Sequence, residues 1–390
     1  MKIVFESAIV PRWKDNCIQF RNVFVSRRPG KNPSQRNVQK GSPANAAAEA
    51  AAAITAEALG DYEVEEEDTN YTQFDVTIET VNVTLSIARW MNGKGLLEDV
   101  EIRGVRGVID RTHVHWPEGV DNKSYRHEHQ LGDFEIESFK LEDLLVTVHQ
   151  PEGFRPFSVS IFSCDLPQLR KQWLFYDFLS ANNMSGSFDD SLFTIHPRQT
   201  HGFNMPSDSQ SQGLWKKTSR LRIDGLAIDH LNRGITGPFS WIVSGNVDMV
   251  ADVNFPVDDD LQFSKLVQDI YDRIETTVTS SGELSTNDLA NEQNNDTDRK
   301  PLTMNLHVQL KDVRAAVPIF TNDLSYVNNA LIRPIVAYIN NRNTYIPITC
   351  RIVKTLEDFD GSWTVYDSGL MDELSAEVGF PMPSVFGQRC

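Results

Sequence analysis

From Trp241 to Phe255 the odd positions Trp241, Val243, Gly245, Val247, Met249, Ala251, Val253 and Phe255 are apolar or glycine, while most even positions are polar. Alternation with period two predicts one long strand with a single wet face. At about 3.3 Å per residue such a strand spans roughly 50 Å, which predicts a wide sheet. Ile3 to Val10 reads as a second strand-like run. A shorter pattern recurs, in which two apolar residues alternate with any residue and are followed by a polar residue or glycine and then an apolar one. Its copies are Ile18–Val23, Val100–Val105, Phe134–Phe139, Leu221–Leu226 and Val308–Val313. Each copy slips the alternation by one at Asn22, Gly104, Ser138, Gly225 or Asp312. A slip of one turns the rest of the strand over unless a bulge or tight turn absorbs it. A series of bulges adds twist and curvature, so the expectation is a coiled or trough-shaped sheet.

Helices punctuate the strands. After Asp165 as N-cap, Leu166, Leu169, Trp173 and Phe178 predict an amphipathic helix ending near Asn182. Phe263, Val267, Ile270, Ile274 and Val278 predict a second, and Leu324, Val327, Leu331, Ile335 and Tyr338 a third, kinked at Pro334. Residues 42–68 run from Ala-rich sequence into the acidic run Glu63 to Asp68, and residues 280–300 are Ser, Asn, Asp, Glu and Thr with few apolar side chains. Both read as mobile inserts, although the Ala segment has the propensity for a helix. The fold class expected is α+β and β-dominated. Its centre is a long, twisted, bulge-rich, mainly antiparallel sheet, curved into a trough or partly open barrel with amphipathic helices at its edges. Residues 1–390 form one elongated domain in this reading.

Composition narrows the partners. Lys plus Arg number 37 against 54 Asp plus Glu, a net charge of −17, which leaves no broad basic surface for a phosphate backbone. Direct nucleic-acid binding is not expected, and membrane contact would be confined to a local basic cluster such as Arg27, Arg28 and Lys31. No window of 18 apolar residues occurs. The chain enters a strand-like run directly after Met1-Lys2, so it reads as an excised piece whose targeting and anchoring parts lie elsewhere. Cys17, Cys164, Cys350 and Cys390 are scattered without a CxxC pair, which excludes a cysteine-rich zinc module and a dense disulfide scaffold.

Chemistry is sparse. No nucleophile-elbow, P-loop, dinucleotide or HExxH motif stands in a credible context. His113, His115, His127 and His129 form two spaced pairs that could meet at a zinc or copper ion. Decoration of a polar sheet face or loop accounts for them better, because no third ligand type stands at a fixed spacing. No catalytic residue, metal or cofactor is expected.

Two segments carry a family resemblance: Ile3 to Pro29 (IVFESAIVPRWKDNCIQFRNVFVSRRP) and Phe74 to Gln199, which contains FDVTIETVNVTLSIARWMNGKGLLEDVEIRGVRGVIDR. Weaker similarity continues through WIVSGNVDMVADVNFP to GSWTVYDSGLMDEL. These resemble the fungal mitochondrial distribution and morphology family of inner-membrane proteins. Pro381 to Cys390 departs from the family pattern. The resemblance implies a matrix-targeting segment and a membrane anchor before this region, a body facing the intermembrane space, and roles in mitochondrial shape, inheritance and phospholipid homeostasis. Its strand pattern is also similar to AsmA-like and chorein-type proteins, whose apolar troughs carry acyl chains between membranes. The expectation is therefore a non-enzymatic domain that binds glycerophospholipid, with cardiolipin or its precursors as candidates, and supports transfer between inner and outer membranes. Outer-membrane proteins are expected partners. Val81, Val83, Leu85 and Ile87 on one strand, and Trp241, Val243, Val247, Met249, Val253 and Phe255 on another, are expected to form an open lipid-binding face. The alternative is a structural tether without lipid.

Overall fold

A computed structural model describes residues 2–10, 16–28, 37–58, 70–115, 122–130, 132–198, 215–231, 242–256, 302–315 and 345–370. Its strands are β1 (Lys2–Ile9), β2 (Cys17–Arg27), β3 (Asn37–Lys40), β4 (Gln73–Leu85), β5 (Leu97–Asp110), β6 (Glu135–Ile136), β7 (Ser138–His149) and β8 (Phe157–Leu166). They continue as β9 (Leu169–Arg170), β10 (Asn183–Phe188), β11 (Ser191–Pro197), β12 (Trp215–Ala227), β13 (Ile242–Pro256), β14 (Leu302–Ala315) and β15 (Ile346–Lys354). Three α-helices are described: α1 (Pro43–Ala58), α2 (Ile87–Met91) and α3 (Leu174–Leu179). Thirteen strands form one open sheet in the order β15-β14-β13-β12-β11-β10-β8-β7-β5-β4-β2-β1-β3, and β6 pairs with β9 in a separate ribbon. Within the large sheet β1–β3 and β5–β7 are parallel and the other pairs antiparallel. The sheet is mixed and does not close into a barrel. No helix among the described residues is long and apolar enough to cross a membrane.

The slips in alternation are real, and they line up. Asn22 (φ 48°), Gly104 (φ 68°) and Asp143 (φ 57°) are left-handed residues inside β2, β5 and β7. Pairing is in register on either side of them, with Arg21, Thr80, Arg103 and Glu142 in one row and Val23, Ile78, Val105 and Leu144 in the next. Asn22, Glu79, Gly104 and Asp143 therefore form one line across four strands, and the alternation turns over along it without loss of register. Glycine is required at position 104. Besides the positive φ, an added Cβ would lie 2.7 Å from the Glu79 side chain. Gly225 (φ 73°) on β12 marks a bulge where the register shifts against β13, and Asp312 (φ 50°) marks the slip on β14. On β7 the slip falls at Asp143 and not at Ser138. Phe139 to Leu144 repeats the pattern of Phe134 to Phe139, and the left-handed Gly104 beside it on β5 selects the second copy.

The helix expected from Leu166 to Asn182 is shorter. Leu166 ends β8, Leu169 pairs with Ile136, and only α3 is α-helical there. Pro167 disfavours helical geometry at Leu166, which breaks the spacing that looked helical. The Ala-rich start of the 42–68 stretch is α1, with Ala46 buried against Val4 and Phe24. Residues 59–68 and 280–300 and the helices expected over 263–278 and 324–338 lie outside the described residues.

Candidate functional site

The register turns the two faces of the sheet into chemically distinct surfaces. One row of neighbours runs Ala8, Phe20, Val81, Ile102, Leu141, Cys164, Met184, Ile195, Leu221, Ala251, Leu306 and Cys350, apolar on twelve successive strands. Across the line of left-handed residues a second row runs Phe5, Val23, Ile78, Val105, Leu144, Ile161, Gly186, Phe193, Ile223, Met249, Val308 and Ile348. Neither row contains a charged side chain. At about 4.8 Å per strand each extends roughly 50 Å.

The charges stand on the opposite face. Gln19, Asn82, Glu101, Lys140, Asp165 and Asn183 form one polar row there, and His196, Arg220, Asp252, Asn305 and Arg351 another. Many are mutually satisfied. Arg220 donates to both Asp252 oxygens at 2.6 and 2.8 Å and holds that carboxyl below its usual range. Asn82 donates to Glu101 at 3.1 Å, which lowers the Glu101 pKa. α1 lies on this side, since Val4 and Phe24, which it covers, alternate with the apolar-face residues Ile3, Phe5, Val23 and Val25.

The apolar face is covered unequally. Toward β15 it is a closed core: Val247, Val253, Phe255, Leu302 and Leu310 are buried with Trp173, Tyr176, Phe359 and Leu370, contributed by α3, its preceding residue and the 356–370 segment. From β5 to β11 the first row lies under Phe134, Ile136, Leu169, Leu174 and Phe178. The second row differs. Phe5, Ile78, Leu144, Ile161, Phe193, Ile223 and Met249 keep part of their surface exposed although each belongs to a strand flanked by a neighbour on both sides. In such strands the residual exposure comes from the face. On β2 and β4 the open surface widens, because Ile18, Phe20, Val81 and Val83 are part-exposed too. The result is a part-open apolar strip beside a capped half.

The expected site residues divide accordingly. Met249 lies on the strip, and Val81, Val83 and Leu85 on its wider end. Val247 (0% exposed), Val253 (1%) and Phe255 (3%) are core, so the open surface expected at them is not found. Their half of the face is covered by groups distant in sequence. Val243 is exposed on β13 beyond the bulge, and Trp241 lies outside the described residues. Ile87 is not on the strand; it opens α2 and is exposed. Phe5, Ile78, Leu144, Ile161, Phe193 and Ile223 were not singled out in the sequence. Carrying the slip through each strand would have found them, since it moves the inward set from odd to even numbers or back.

The histidine pairs do not meet at a metal site. His127 stacks on Trp363 with ring centroids 3.7 Å apart, and His129 lies 3.8 Å from Asp133. The backbone of His115 donates to Asn70 at 3.0 Å. Among the described residues, the group that brings three ligand-type side chains together is Asp189, Asp229 and His230. Arg155 occupies its mouth, bound to Asp189 and 3.1 Å from Asp229, while His230 meets Asp189 at 2.8 Å among Phe154, Phe157 and Phe188. The Arg155 guanidinium holds the Asp189 carboxyl below its usual range. This cluster ties the β10–β11 turn to the chain before β8 and after β12.

The family model for yeast mitochondrial distribution and morphology (MDM) proteins matches residues 1–382. The chain belongs to this family. It is 49% identical over 388 residues to mitochondrial distribution and morphology protein 31 of Saccharomyces cerevisiae, covering 97% of this chain and 65% of the relative. The protein of the same name from Schizosaccharomyces pombe is 44% identical over 396 residues, covering 97% and 61%. Protein 32 of Kluyveromyces lactis is 27% identical over 366 residues, covering 93% and 50%. The chain thus spans less than two thirds of the length of these relatives. Family membership associates it with mitochondria and their organisation.

Proposed function

We propose that the part-open strip holds the acyl chains of a glycerophospholipid, cardiolipin or its precursors among the candidates, as a non-catalytic carrier. In this reading the domain faces the intermembrane space from the inner membrane and supports lipid passage to the outer membrane, with outer-membrane proteins as partners. The observation that supports it most is the second row: twelve successive strands without a charge, part-exposed over most of its length. Each methylene withdrawn from water contributes about 0.8 kcal/mol, so partial enclosure of two chains suffices to retain a lipid through purification. The capped half favours a rigid tether only for itself, because its apolar side chains are satisfied by Trp173, Tyr176 and Phe359.

Native mass spectrometry with lipid extraction tests the proposal on purified protein. Wild type should carry phospholipid, and Ile78→Asp with Leu144→Asp should fold, as shown by circular dichroism, with at least a fivefold lower lipid content. A folded wild type free of lipid, or a double variant that keeps its lipid, would sink the carrier and favour the tether.

A further inference from the structure

Six large apolar side chains are exposed along one rim of the sheet, where β1 and β4 end and β5 begins: Ile9, Val10, Ile87, Trp90, Met91 and Leu96. Three belong to α2, the short helix of the β4–β5 connection, which has no buried residue. Ile87 is 69% exposed, Trp90 64% and Met91 77%. The connection is nevertheless well anchored. Ser86 donates to the Leu96 carbonyl at 3.0 Å, Arg89 donates to the Glu135 carbonyl at 2.6 Å and pairs with Glu137, and Glu135 donates to the Lys94 carbonyl at 3.1 Å. Anchored apolar side chains held in water cost free energy unless something covers them.

We infer that the α2 connection is a membrane-docking tip: Ile87, Trp90 and Met91 enter the interfacial zone of a phospholipid bilayer and bring the open end of the apolar strip against it. The inference rests on the lipid-carrying reading for its purpose. Three observations select a bilayer as occupant. The apolar surface is continuous from the strip to the tip along β4 through Ile78, Val81, Val83 and Leu85, whereas from β7 onward the corresponding route is capped, with Leu141 and Leu166 buried. A five-residue helix is far too small for a stable protein interface, which needs about 800 Å² per partner, but suits shallow insertion, with tryptophan at the head-group boundary. Among the described residues, the cations beside α2 are already paired, Arg89 with Glu137 and Lys94 with Glu135 at 3.8 Å, so docking through α2 is apolar and independent of anionic lipid.

Flotation of the purified chain with phosphatidylcholine vesicles tests this. Wild type should float with vesicles, with little change between roughly 0.05 and 0.5 M salt, over which the Debye length shortens about threefold. Brominated phosphatidylcholine should quench a fluorescence component that Trp90→Phe removes. The triple variant Ile87→Ser, Trp90→Ser, Met91→Ser should lose at least tenfold in vesicle binding, with unchanged circular dichroism and unchanged co-purified lipid, whereas Trp90→Phe alone should still float. Failure of wild type to float, flotation of the triple variant, or dependence on anionic lipid would overturn the tip. A wild type that floats but carries no lipid would instead remove the carrier reading and leave the tip standing.

Discussion

Val247→Asp combined with Val253→Asp is expected to abolish the cooperative urea transition of the domain. Both side chains are at most 1% exposed, on the same face of β13, with Leu310 and Met304 opposite them on β14. The cluster that buries them is made of aromatic and aliphatic side chains, Trp173, Tyr176 and Phe359 among them. A buried carboxyl without a partner costs several kcal/mol even when it protonates, and two such costs approach the roughly 5–15 kcal/mol that stabilises a typical domain. The strip positions Ile78 and Leu144 pack against the margin of a buried cluster but keep part of their surface in water, so Ile78→Asp and Leu144→Asp leave carboxyls that water can reach and should retain the transition. Urea melts followed by circular dichroism separate the two pairs. Equal melts for both pairs would contradict the division of the face into capped and open parts.

Asp177→Ala should be the next most damaging change, by about 3–5 kcal/mol, because it strands a charge in the cap. The Asp177 side chain is 2% exposed and accepts from the Arg170 backbone N–H at 2.7 Å, from Nε at 3.2 Å and from Nη2 at 2.8 Å. One carboxylate therefore ties α3 to β9, and β9 holds β6. Without it, the Arg170 guanidinium, packed over Trp173 and Tyr176, loses its counter-charge in a largely apolar setting. Replacing both partners, Arg170→Met with Asp177→Leu, should recover most of the loss, since no charge is then left unpaired. Chemical denaturation of the single and double variants measures the difference. If Asp177→Ala alone is as stable as wild type, the pair does not hold the cap.

Local pattern carried much of the architecture. The alternation over Trp241 to Phe255 corresponds to β13, and four of the five slips fall at the residues read from the sequence, because a left-handed Asn, Gly or Asp inside a strand leaves a mark in the alternation itself. Relations between distant segments were not legible. Nothing local distinguishes Val247, inside the capped cluster, from Ile78, which stays partly exposed, because coverage depends on where 356–370 and α3 come to rest. The parallel placement of β7 beside β5 was equally invisible, as was Pro167 converting an apparent helix start into a strand end. The α2 tip went unread because Leu85 and Ile87 continue the β4 alternation without interruption.

Neighbours in the sheet are mostly neighbours in the chain, so most of its hydrogen bonding can form hairpin by hairpin at small loop-closure cost. The clasp formed by 356–370 obeys a different polymer logic. Arg126 donates to the carbonyls of Asp367 and Asp358, 241 and 232 residues away, and the Trp363 indole donates to the Lys171 carbonyl across 192 residues. During synthesis those contacts wait for 356–370 to emerge, and the cluster that contains Val247 and Val253 stays without Phe359 and Leu370 until then. A chain truncated after Thr355 should accordingly bind a dye specific for apolar surface several-fold more strongly than the 390-residue chain, and equal binding would show that the cover is dispensable. Nascent chains then present a wide water-exposed apolar area until 356–370 has left the ribosome, which makes the emergence of this segment the point after which holding chaperones matter less.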